Sequence, residues 1–311
     1  MYRKMLVPLD GSELAEVVLT YARELAGRLD IDIVLLHVSV PALSQFAPMR
    51  RAYIERAAEN IEHLSREIQK KTGTPPGNKP IAVQGDLTVG YPPEEILRFA
   101  EENAVDLILM ATHGRSGVKQ WTMGNVADKV LRASKVPVWL VRTGIPDETP
   151  YDQWPKKSIL VPLDGSEMAE SVLPHLETLA KQRDGELLEV VLLRVSEPPA
   201  LPSYYIPEVS EMPLNWGEYE QQETAKGKQV AKEYLAMVEK RLKESNISNM
   251  QSVVLTGKAA DEIADYANKN PFNIIVMATH GRSGLSRWVY GSVTDNVLQG
   301  TSSPIFLVRP Q

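Results

Sequence analysis

Short apolar runs alternate along the chain with longer segments in which apolar side chains recur every three or four positions. The run 273–277, Asn-Ile-Ile-Val-Met, carries no charge and is rich in β-branched residues. That composition is typical of a strand buried on both faces of a parallel sheet. The segment from about Arg50 to Lys71 instead places Ile54, Ile61 and other apolar residues at helical spacing, which predicts an amphipathic helix.

Taken in order, the pattern predicts βαβαβαβαβ in the first half of the chain and the same order in the second half. In the first half the predicted strands begin at Lys4, cover 32–38, lie near 81–83 or slightly later, and cover 105–110 and 136–141, with helices over 12–28, 50–71, from Pro93 and after Gly124. In the second half the strands begin at Ile159 and cover 190–195, 273–277 and 304–308, with a long helix over 219–243. Strands that alternate with helices form a doubly wound parallel sheet with right-handed crossovers. We therefore predict an α/β protein, with a five-stranded parallel sheet and helices on both faces in each half.

The strongest regularity in the sequence is an internal duplication. Seven consecutive residues, Met-Ala-Thr-His-Gly-Arg-Ser, occur at 110–116 and again at 277–283, which indicates two copies of one structural unit. The predicted domains are 1–146 and 155–311, joined by a proline-rich linker at about 143–157. Most of the extra length of the second copy lies in a proline- and tyrosine-rich insertion at 197–218, which is a lid, a partner surface or a tolerated loop.

Composition narrows the class of protein. A length of 311 residues is enough for two domains of about 150 residues each. The net charge of −6 gives no support for a nucleic-acid or membrane partner, and no apolar run approaches the roughly 20 residues of a membrane helix. The absence of cysteine excludes disulfides, thiol nucleophiles and cysteine-ligated zinc. Together with an N-terminus that lacks a signal-peptide core, it leads us to expect a cytoplasmic protein.

A glycine-punctuated loop follows each copy of the repeated motif. Glycines at 281, 284 and 291 leave backbone N–H groups uncovered by side chains. Ser292 is expected to cap the next helix, whose dipole points back at the loop. Such a loop is typical of an anion site, and phosphate is the usual anion. Ligands of doubly wound sheets bind beyond the C-terminal strand ends, and Asp10 and Asp164 each follow such an end.

Two motifs together carry a resemblance to a known family. Pro-Leu-Asp-Gly-Ser stands near the start of each half, and Ala-Thr-His-Gly, nine residues, then Gly-Ser stands near the end of the second half. In this the sequence resembles the universal stress protein family in its tandem two-domain form, over nearly the whole chain. The family's ATP-binding pattern, Gly-x2-Gly-x9-Gly-Ser/Thr, is matched at Gly281, Gly291 and Ser292, with Ala278 in place of the first glycine. The first half has Asn125 in place of the Ser/Thr.

The resemblance implies a Rossmann-like domain in each half that binds ATP, with or without magnesium. In such domains the aspartate reaches the ribose side, the valine after the second strand contacts adenine through its backbone, and the glycine loop wraps the phosphates. The candidate cofactor-binding residues of the first half are therefore Pro8, Leu9, Asp10, Val38, Ala111, His113, Gly114, Arg115, Gly117, Gly124, Asn125 and Val126. Those of the second half are Pro162, Leu163, Asp164, Val195, Ala278, His280, Gly281, Arg282, Gly284, Gly291, Ser292 and Val293. Because Asn125 lacks the serine hydroxyl, we expect the second half to bind ATP more tightly.

Several of these residues also have a purely structural interpretation. Asp-Gly commonly forms turns, the loop arginines can be solvated, and the glycine loops can be turns that bind nothing. A packing or backbone-bonding role is favoured for His113 and His280. The other three histidines are scattered along the sequence, so we expect no metal site.

The motifs favour binding over catalysis. The sequence has no Gly-x-Ser-x-Gly elbow, no Gly-x4-Gly-Lys-Ser/Thr loop and no paired-carboxylate motif, so ATP should be held rather than split quickly. The main hypothesis is an ATP-binding stress-response regulator with at most slow hydrolysis. The alternatives are an adenylyl-transfer or ATP-cleaving enzyme of the same superfamily and a nucleotide-free interaction scaffold. The resemblance also implies that the closing strands of the two halves pair within the chain. The sequence leaves open the protein partner and whether the whole chain forms a homodimer.

Overall fold

The computed structural model describes residues 1–71, 80–113, 123–142, 157–182, 188–199, 216–270, 272–280 and 291–310. The strands are β1 Lys4–Pro8, β2 Asp32–Ser39, β3 Val83–Val89, β4 Leu107–Ala111, β5 Val138–Val141, β6 Lys157–Pro162, β7 Leu188–Ser196, β8 Met250–Thr256, β9 Ile274–Ala278 and β10 Ile305–Val308. The helices are α1 Glu13–Glu16, α2 Val18–Leu29, α3 Ala47–Lys71, α4 Pro92–Glu102, α5 Asn125–Ala133, α6 Glu167–Glu170, α7 Leu173–Gln182, α8 Trp216–Glu244, α9 Ala259–Lys269 and α10 Ser292–Gly300, with a 3-10 helix at Pro41–Phe46. No helix among the described residues is long and apolar enough to span a membrane.

The ten described strands form one sheet in the order β3-β2-β1-β4-β5-β10-β9-β6-β7-β8. Neighbouring strands are parallel within each half, and β5 and β10 pair antiparallel where the halves meet. The predicted α/β fold, with five parallel strands in each half, is thereby confirmed, as is the pairing of the closing strands. In each half the second and third strands lie on one side of the first strand, and the fourth and fifth strands lie on its other side. The strand order therefore reverses beside β1 and beside β6. Open α/β sheets bind ligands at such reversal points.

Two apolar layers cover the sheet, one on each face. On one face Leu25, Ile54 and Leu235 of helices α2, α3 and α8 pack against the strands. On the other face the helices α4, α5 and α9 contribute residues such as Ile96 and Val130. Because both faces are buried, the four strands β4, β5, β9 and β10 are apolar at every position, which is why they form uninterrupted apolar runs in the sequence.

The two halves meet at an aromatic pair on a pseudo-two-fold axis. Phe306 of β10 lies opposite Trp139 of β5, and these two residues occupy equivalent positions in the repeats. Their rings are 5.8 Å apart and nearly perpendicular, an arrangement that aromatic quadrupoles favour. Both side chains are almost completely buried. Nearby, the Tyr2 hydroxyl lies 2.6 Å from Nδ1 of His175 and so joins the first half to α7. The contact between the halves is therefore as fully buried as the core of each half.

Several predicted boundaries are corrected. The single helix predicted over 12–28 is two helices, separated at Val17. The strand predicted near 81–83 is β3, which was obscured by Gly85 and Asp86 in its middle. A Cβ at Gly85 would lie 2.6 Å from the Ile54 carbonyl oxygen, so close contact with α3 requires glycine there. Helix α8 begins at Trp216, so the end of the insertion predicted at 197–218 is helical. Residues 200–215 of that insertion and 143–156 of the linker lie outside the described residues.

Candidate functional site

Asp10 and Asp164 form the same turn at the ends of β1 and β6. One carboxylate oxygen of Asp10 accepts hydrogen bonds from the backbone N–H of Ser12 at 3.0 Å and from its hydroxyl at 2.6 Å. Asp164 accepts the same two bonds from Ser166, at 2.9 and 2.6 Å. The glycine between each pair has a φ of 76° or 86°, a conformation that glycine adopts readily. The turn-forming interpretation is thus confirmed for both aspartates, and each turn holds its carboxylate at the C-terminal edge of the sheet.

Val38 lies at the end of β2, beside the point where β1 stops. The Leu36 carbonyl accepts a hydrogen bond from the Leu9 N–H at 2.9 Å, so the peptide groups of Leu36 face β1. Since residues two apart in a strand point the same way, the N–H and C=O of Val38 face the space beyond Pro8, the last residue of β1. The same bond pattern in the second half places the peptide groups of Val195 equivalently.

Hydrogen bonds hold the two ends of each glycine loop together. The Gly124 N–H donates to the Thr112 carbonyl at 2.8 Å, and the Gly291 N–H donates to the Thr279 carbonyl at 3.0 Å. The Thr112 N–H in turn donates to the Val141 carbonyl of the closing strand at 2.9 Å. A Cβ at Gly124 would lie 3.0 Å from the Thr112 carbonyl oxygen. A side chain larger than that of glycine would therefore press on the Thr112 carbonyl where the loop closes.

The prediction that Ser292 caps its helix is wrong. The N-caps of α5 and α10 are Gly124 and Gly291, and neither helix has a side-chain capping bond. Ser292 and Asn125 are the first helical residues, because the loop-closing bonds place the glycines at the cap positions. Both side chains are exposed. The first-turn N–H groups of each helix have no partner within the helix, so they are suited to an anion.

A pocket with a volume of about 370 Å³ opens in the first half at the C-terminal edge of the sheet. Small-molecule sites are commonly about 300–1,000 Å³. Nine predicted residues line it: Pro8, Leu9, Asp10, Val38, Ala111, His113, Gly124, Asn125 and Val126. Seven further lining residues were missed: Ala15, Leu36, Pro92, Ile96, Met110, Thr112 and Ala127. Of these, Met110 and Thr112 have a signal in the sequence, because both stand inside the repeated Met-Ala-Thr-His-Gly-Arg-Ser motif.

His113 is one of the two ionisable residues in the lining of this pocket. Its Nδ1 lies 3.1 Å from the Thr112 hydroxyl, while its Nε2 is buried and has no hydrogen-bond partner among the described residues. Burial lowers the pKa of His113, and the positive charge of Arg142 lowers it further, so the ring is neutral at pH 7. A buried polar nitrogen without a partner is unfavourable, and charging this ring would be more unfavourable still.

The described residues of the second site lie in the same places as their counterparts. Pro162 and Leu163 precede the aspartate turn, Ala278 ends β9, and Val293 lies in the first turn of α10. His280 is buried, with its Nδ1 3.0 Å from the Thr279 hydroxyl. Six predicted residues lie outside the described residues, so their placement stays a prediction: Gly114, Arg115, Gly117, Gly281, Arg282 and Gly284.

The two sites differ beneath the aspartate turn. In the second half the Arg194 guanidinium lies 4.7 Å from the centre of the Tyr234 ring. A Cβ on Gly165 would lie 3.1 Å from the Arg194 guanidinium. The guanidinium therefore sits next to the Asp164 turn. The first half has the buried His37 at the equivalent strand position. A guanidinium therefore lies beside the turn in the second half, and an imidazole occupies that strand position in the first.

Comparison with known proteins agrees with the duplicated fold. The sequence profile of the Universal stress protein family matches residues 1–142 and 156–309. A universal stress protein of Methanocaldococcus jannaschii is 29% identical over 163 residues, covering 46% of this chain and 96% of that protein. One of Mycolicibacterium smegmatis is 23% identical over 314 residues, 99% of this chain and 97% of that protein. The crystal structure of a universal stress protein from Archaeoglobus fulgidus has a TM-score of 0.65 at 19% identity, covering 99% of this chain and 96% of that one. The family predicted from the motifs is confirmed: this chain belongs to the universal stress protein family and carries its domain twice in tandem.

Proposed function

We propose that this chain binds an adenine nucleotide, ATP above all, in the first-half pocket, and that a second nucleotide binds at the equivalent place in the second half. The observation that carries the proposal is the pocket of about 370 Å³ at the strand-order reversal. It has the usual character of a cofactor site, with mostly apolar walls and a few convergent polar groups.

The apolar part of the pocket suits a purine base. Leu36, Ile96 and Met110 supply apolar side chains from β2, α4 and β4. The N–H and C=O of Val38 face the same space and can pair with the polar edge of a flat base. The Asp10 carboxylate, held by its turn, can accept hydrogen bonds from ribose hydroxyls.

The polar part of the pocket suits phosphate. The N-terminus of α5 borders the pocket at Asn125 and Val126, and its free N–H groups and dipole favour negative charge. His113 adds a neutral ring to the lining. Where ATP carries magnesium, Asp10 offers the kind of oxygen ligand that this ion prefers.

The site favours a regulator over an enzyme. Among the described residues that line the pocket, Asp10 and His113 are the ionisable ones, and each already has a structural hydrogen bond. The described lining has no lysine, no arginine and no second carboxylate, so it lacks the groups that position a nucleophile and neutralise a transferring phosphate. We therefore propose a cytoplasmic, nucleotide-dependent regulator whose ATP turnover is far below the enzyme median of about 10 per second. A turnover of that order, lost on Gly124→Val, would show instead that the chain is an enzyme.

Release and rebinding of nucleotide test the proposal. Protein purified from cells should release adenine nucleotide on denaturation, as measured by chromatography of the supernatant. Protein stripped of nucleotide should melt at a higher temperature with ATP, since a ligand at 100 times its Kd stabilises by about 2.7 kcal/mol. GTP should give a smaller shift, and EDTA shows whether magnesium contributes. If no nucleotide is released and millimolar ATP leaves the melting temperature unchanged, the scaffold interpretation holds.

A further inference from the structure

Each half of the molecule ends in an arginine that reaches a helix of the other half. Arg142, directly after β5, donates through its guanidinium to the carbonyl of Leu298 in α10. Arg309, directly after β10, donates to the carbonyl of Arg132 in α5 at 3.0 Å. The antiparallel pairing of β5 with β10 explains both contacts, because the end of each strand lies beside the segment that enters its partner strand. The two helices contacted are those whose N-termini border the proposed nucleotide sites.

These contacts restrain the C-terminal ends of α5 and α10. Carbonyl groups in the last turn of a helix have no partner within the helix, and a cation there interacts favourably with the helix dipole. Each helix has nine residues, which corresponds to a rod about 14 Å long. A short rod fixed at one end transmits a shift or rotation to its other end. The arginine of one half therefore restrains the phosphate-facing end of a helix in the other half.

Backbone hydrogen bonds connect each arginine to the proposed nucleotide site of its own half. Val308, next to Arg309, accepts a bond from the Thr279 N–H at 2.8 Å, and the Thr279 carbonyl accepts the bond from Gly291, the N-cap of α10. A path thus runs from the C-terminus of α5 through the second half to the N-terminus of α10.

The return path completes a ring. The C-terminus of α10 contacts Arg142, whose neighbour Val141 accepts a bond from the Thr112 N–H at 2.9 Å. The Thr112 carbonyl accepts the bond from Gly124, the N-cap of α5. Arg142 also lies near enough to the pocket for its charge to act on His113. The closed ring passes through both loop-closing bonds and both phosphate-facing helices.

We propose that this ring couples the two nucleotide sites, with Arg142 and Arg309 as its positioning residues. The inference rests on the proposed nucleotide binding. A nucleotide that orders the N-terminus of α5 also orders its C-terminus against Arg309, and through the ring it orders the N-terminus of α10. The second nucleotide then has a smaller ordering cost, so the coupling is positive. We expect the first nucleotide to raise the affinity for the second by about fivefold or more, the lower end of typical coupling.

The test compares the intact protein with variants that retain one site each. ATP is titrated calorimetrically into stripped wild-type protein, into Gly124→Val, which keeps the second site, and into Gly291→Val, which keeps the first. Independent sites would give a wild-type curve equal to the sum of the two single-site curves. The proposal predicts a tighter wild-type curve than that sum. It also predicts that ATP bound to Gly124→Val slows amide hydrogen exchange in residues 125–133 of α5, although the first site is blocked.

Loss of the arginines should remove the coupling and leave binding intact. In the double variant Arg142→Gln, Arg309→Gln, the two-site curve should equal the sum of the single-site curves measured in the same background, with both sites still occupied. Arg142→Lys with Arg309→Lys keeps the charge and should retain part of the coupling. Arg66→Gln is the matched control, because Arg66 donates to the Ile81 carbonyl at 3.2 Å within the first half. That variant should keep the full coupling.

The outcomes separate this inference from the proposed function. If wild-type protein binds no nucleotide, the proposed function fails and the coupling fails with it. If both sites bind and the wild-type curve equals the sum of the single-site curves, only the coupling is overturned. Coupling that persists in the glutamine double variant, with melting curves showing a folded protein, would also overturn the role given to the arginines.

Discussion

Replacing Gly124 by valine should weaken nucleotide binding in the first half without unfolding the protein. Gly124 has a φ of −63° and a ψ of 145°, which any residue adopts, so the substitution causes no backbone strain. Its effect comes from contact alone. A Cβ there would lie 3.0 Å from the Thr112 carbonyl oxygen and 3.6 Å from Cα of His113, and valine adds two methyl groups to that Cβ.

The size of the effect follows from the loop-closing bond. To make room for valine, the 2.8 Å bond from Gly124 to Thr112 must lengthen, and His113 must move with the chain. Overpacking of this kind costs about 1–3 kcal/mol. If the cost falls on the closed conformation that binds nucleotide, affinity drops by about fivefold to more than a hundredfold. Gly124→Ala should have a smaller effect, since the carbonyl then needs to shift by only a few tenths of an ångström.

Calorimetric titration of stripped protein provides the measurement. Wild-type protein should show two ATP sites, and Gly124→Val should show the first of them weakened by that factor, with Gly124→Ala between the two in affinity. Thermal melting without nucleotide is the control, and it should show a folded protein in all three cases. Two sites of wild-type affinity in a folded Gly124→Val protein would refute the assignment of this loop to the nucleotide.

Three further predictions concern site asymmetry, the contact between the halves, and pH. Asn125→Ser should tighten ATP binding at the first site, and Ser292→Ala should weaken it at the second. Each change should be about tenfold to a hundredfold, the value of one hydrogen bond to a charged group. Calorimetry that shows tighter binding at the first site of wild-type protein would reverse the expected order of affinities. Phe306→Ala should lower the free energy of unfolding by about 3–5 kcal/mol, because the ring is fully buried against Trp139. Chemical denaturation measures this change. Independent tumbling of the two halves of wild-type protein in NMR relaxation would contradict the packing. Burial lowers the pKa of His175, and the positive charge of the chain N-terminus lowers it further, so the unfolded chain takes up the proton at a higher pH than the folded protein does. The contribution of His175 to stability should therefore be complete above the ordinary histidine pKa of about 6.5 and fall as the pH drops below it. His175→Gln should reduce this pH dependence in melting curves recorded from pH 7.5 to 5.

The fold was predictable where burial is complete and obscured where it is partial. The run 273–277 became β9, because a central parallel strand needs apolar residues on both faces. Strand β3 lies at the edge of the sheet and is only half-buried, so its sequence has no apolar run. Its Gly85, which close contact with α3 requires, resembles a turn residue when only the sequence is known.

The residues of the candidate site likewise include some that the sequence predicts and some that it does not. Residues that directly follow strand ends, such as Asp10 and His113, were identified because their motifs recur in both halves. Leu36, Ile96 and Met110 line the same pocket, yet they lie inside elements, and only Met110 belongs to a repeated motif. They come from β2, α4 and β4, and only the strand order brings these elements together.

The contacts of Arg142 and Arg309 could not be predicted from either repeat alone. Each stands in a Val-Arg pair at the end of its half, and that repetition was available in the sequence. Their roles were not, because each side chain bonds a carbonyl more than 150 residues away in the chain, a separation of 156 for Arg142 and 177 for Arg309. A single domain provides the arginine but not the helix that it contacts. Only the antiparallel pairing of β5 and β10 supplies that helix, so any coupling through the arginines is a property of the paired halves and not of either half alone.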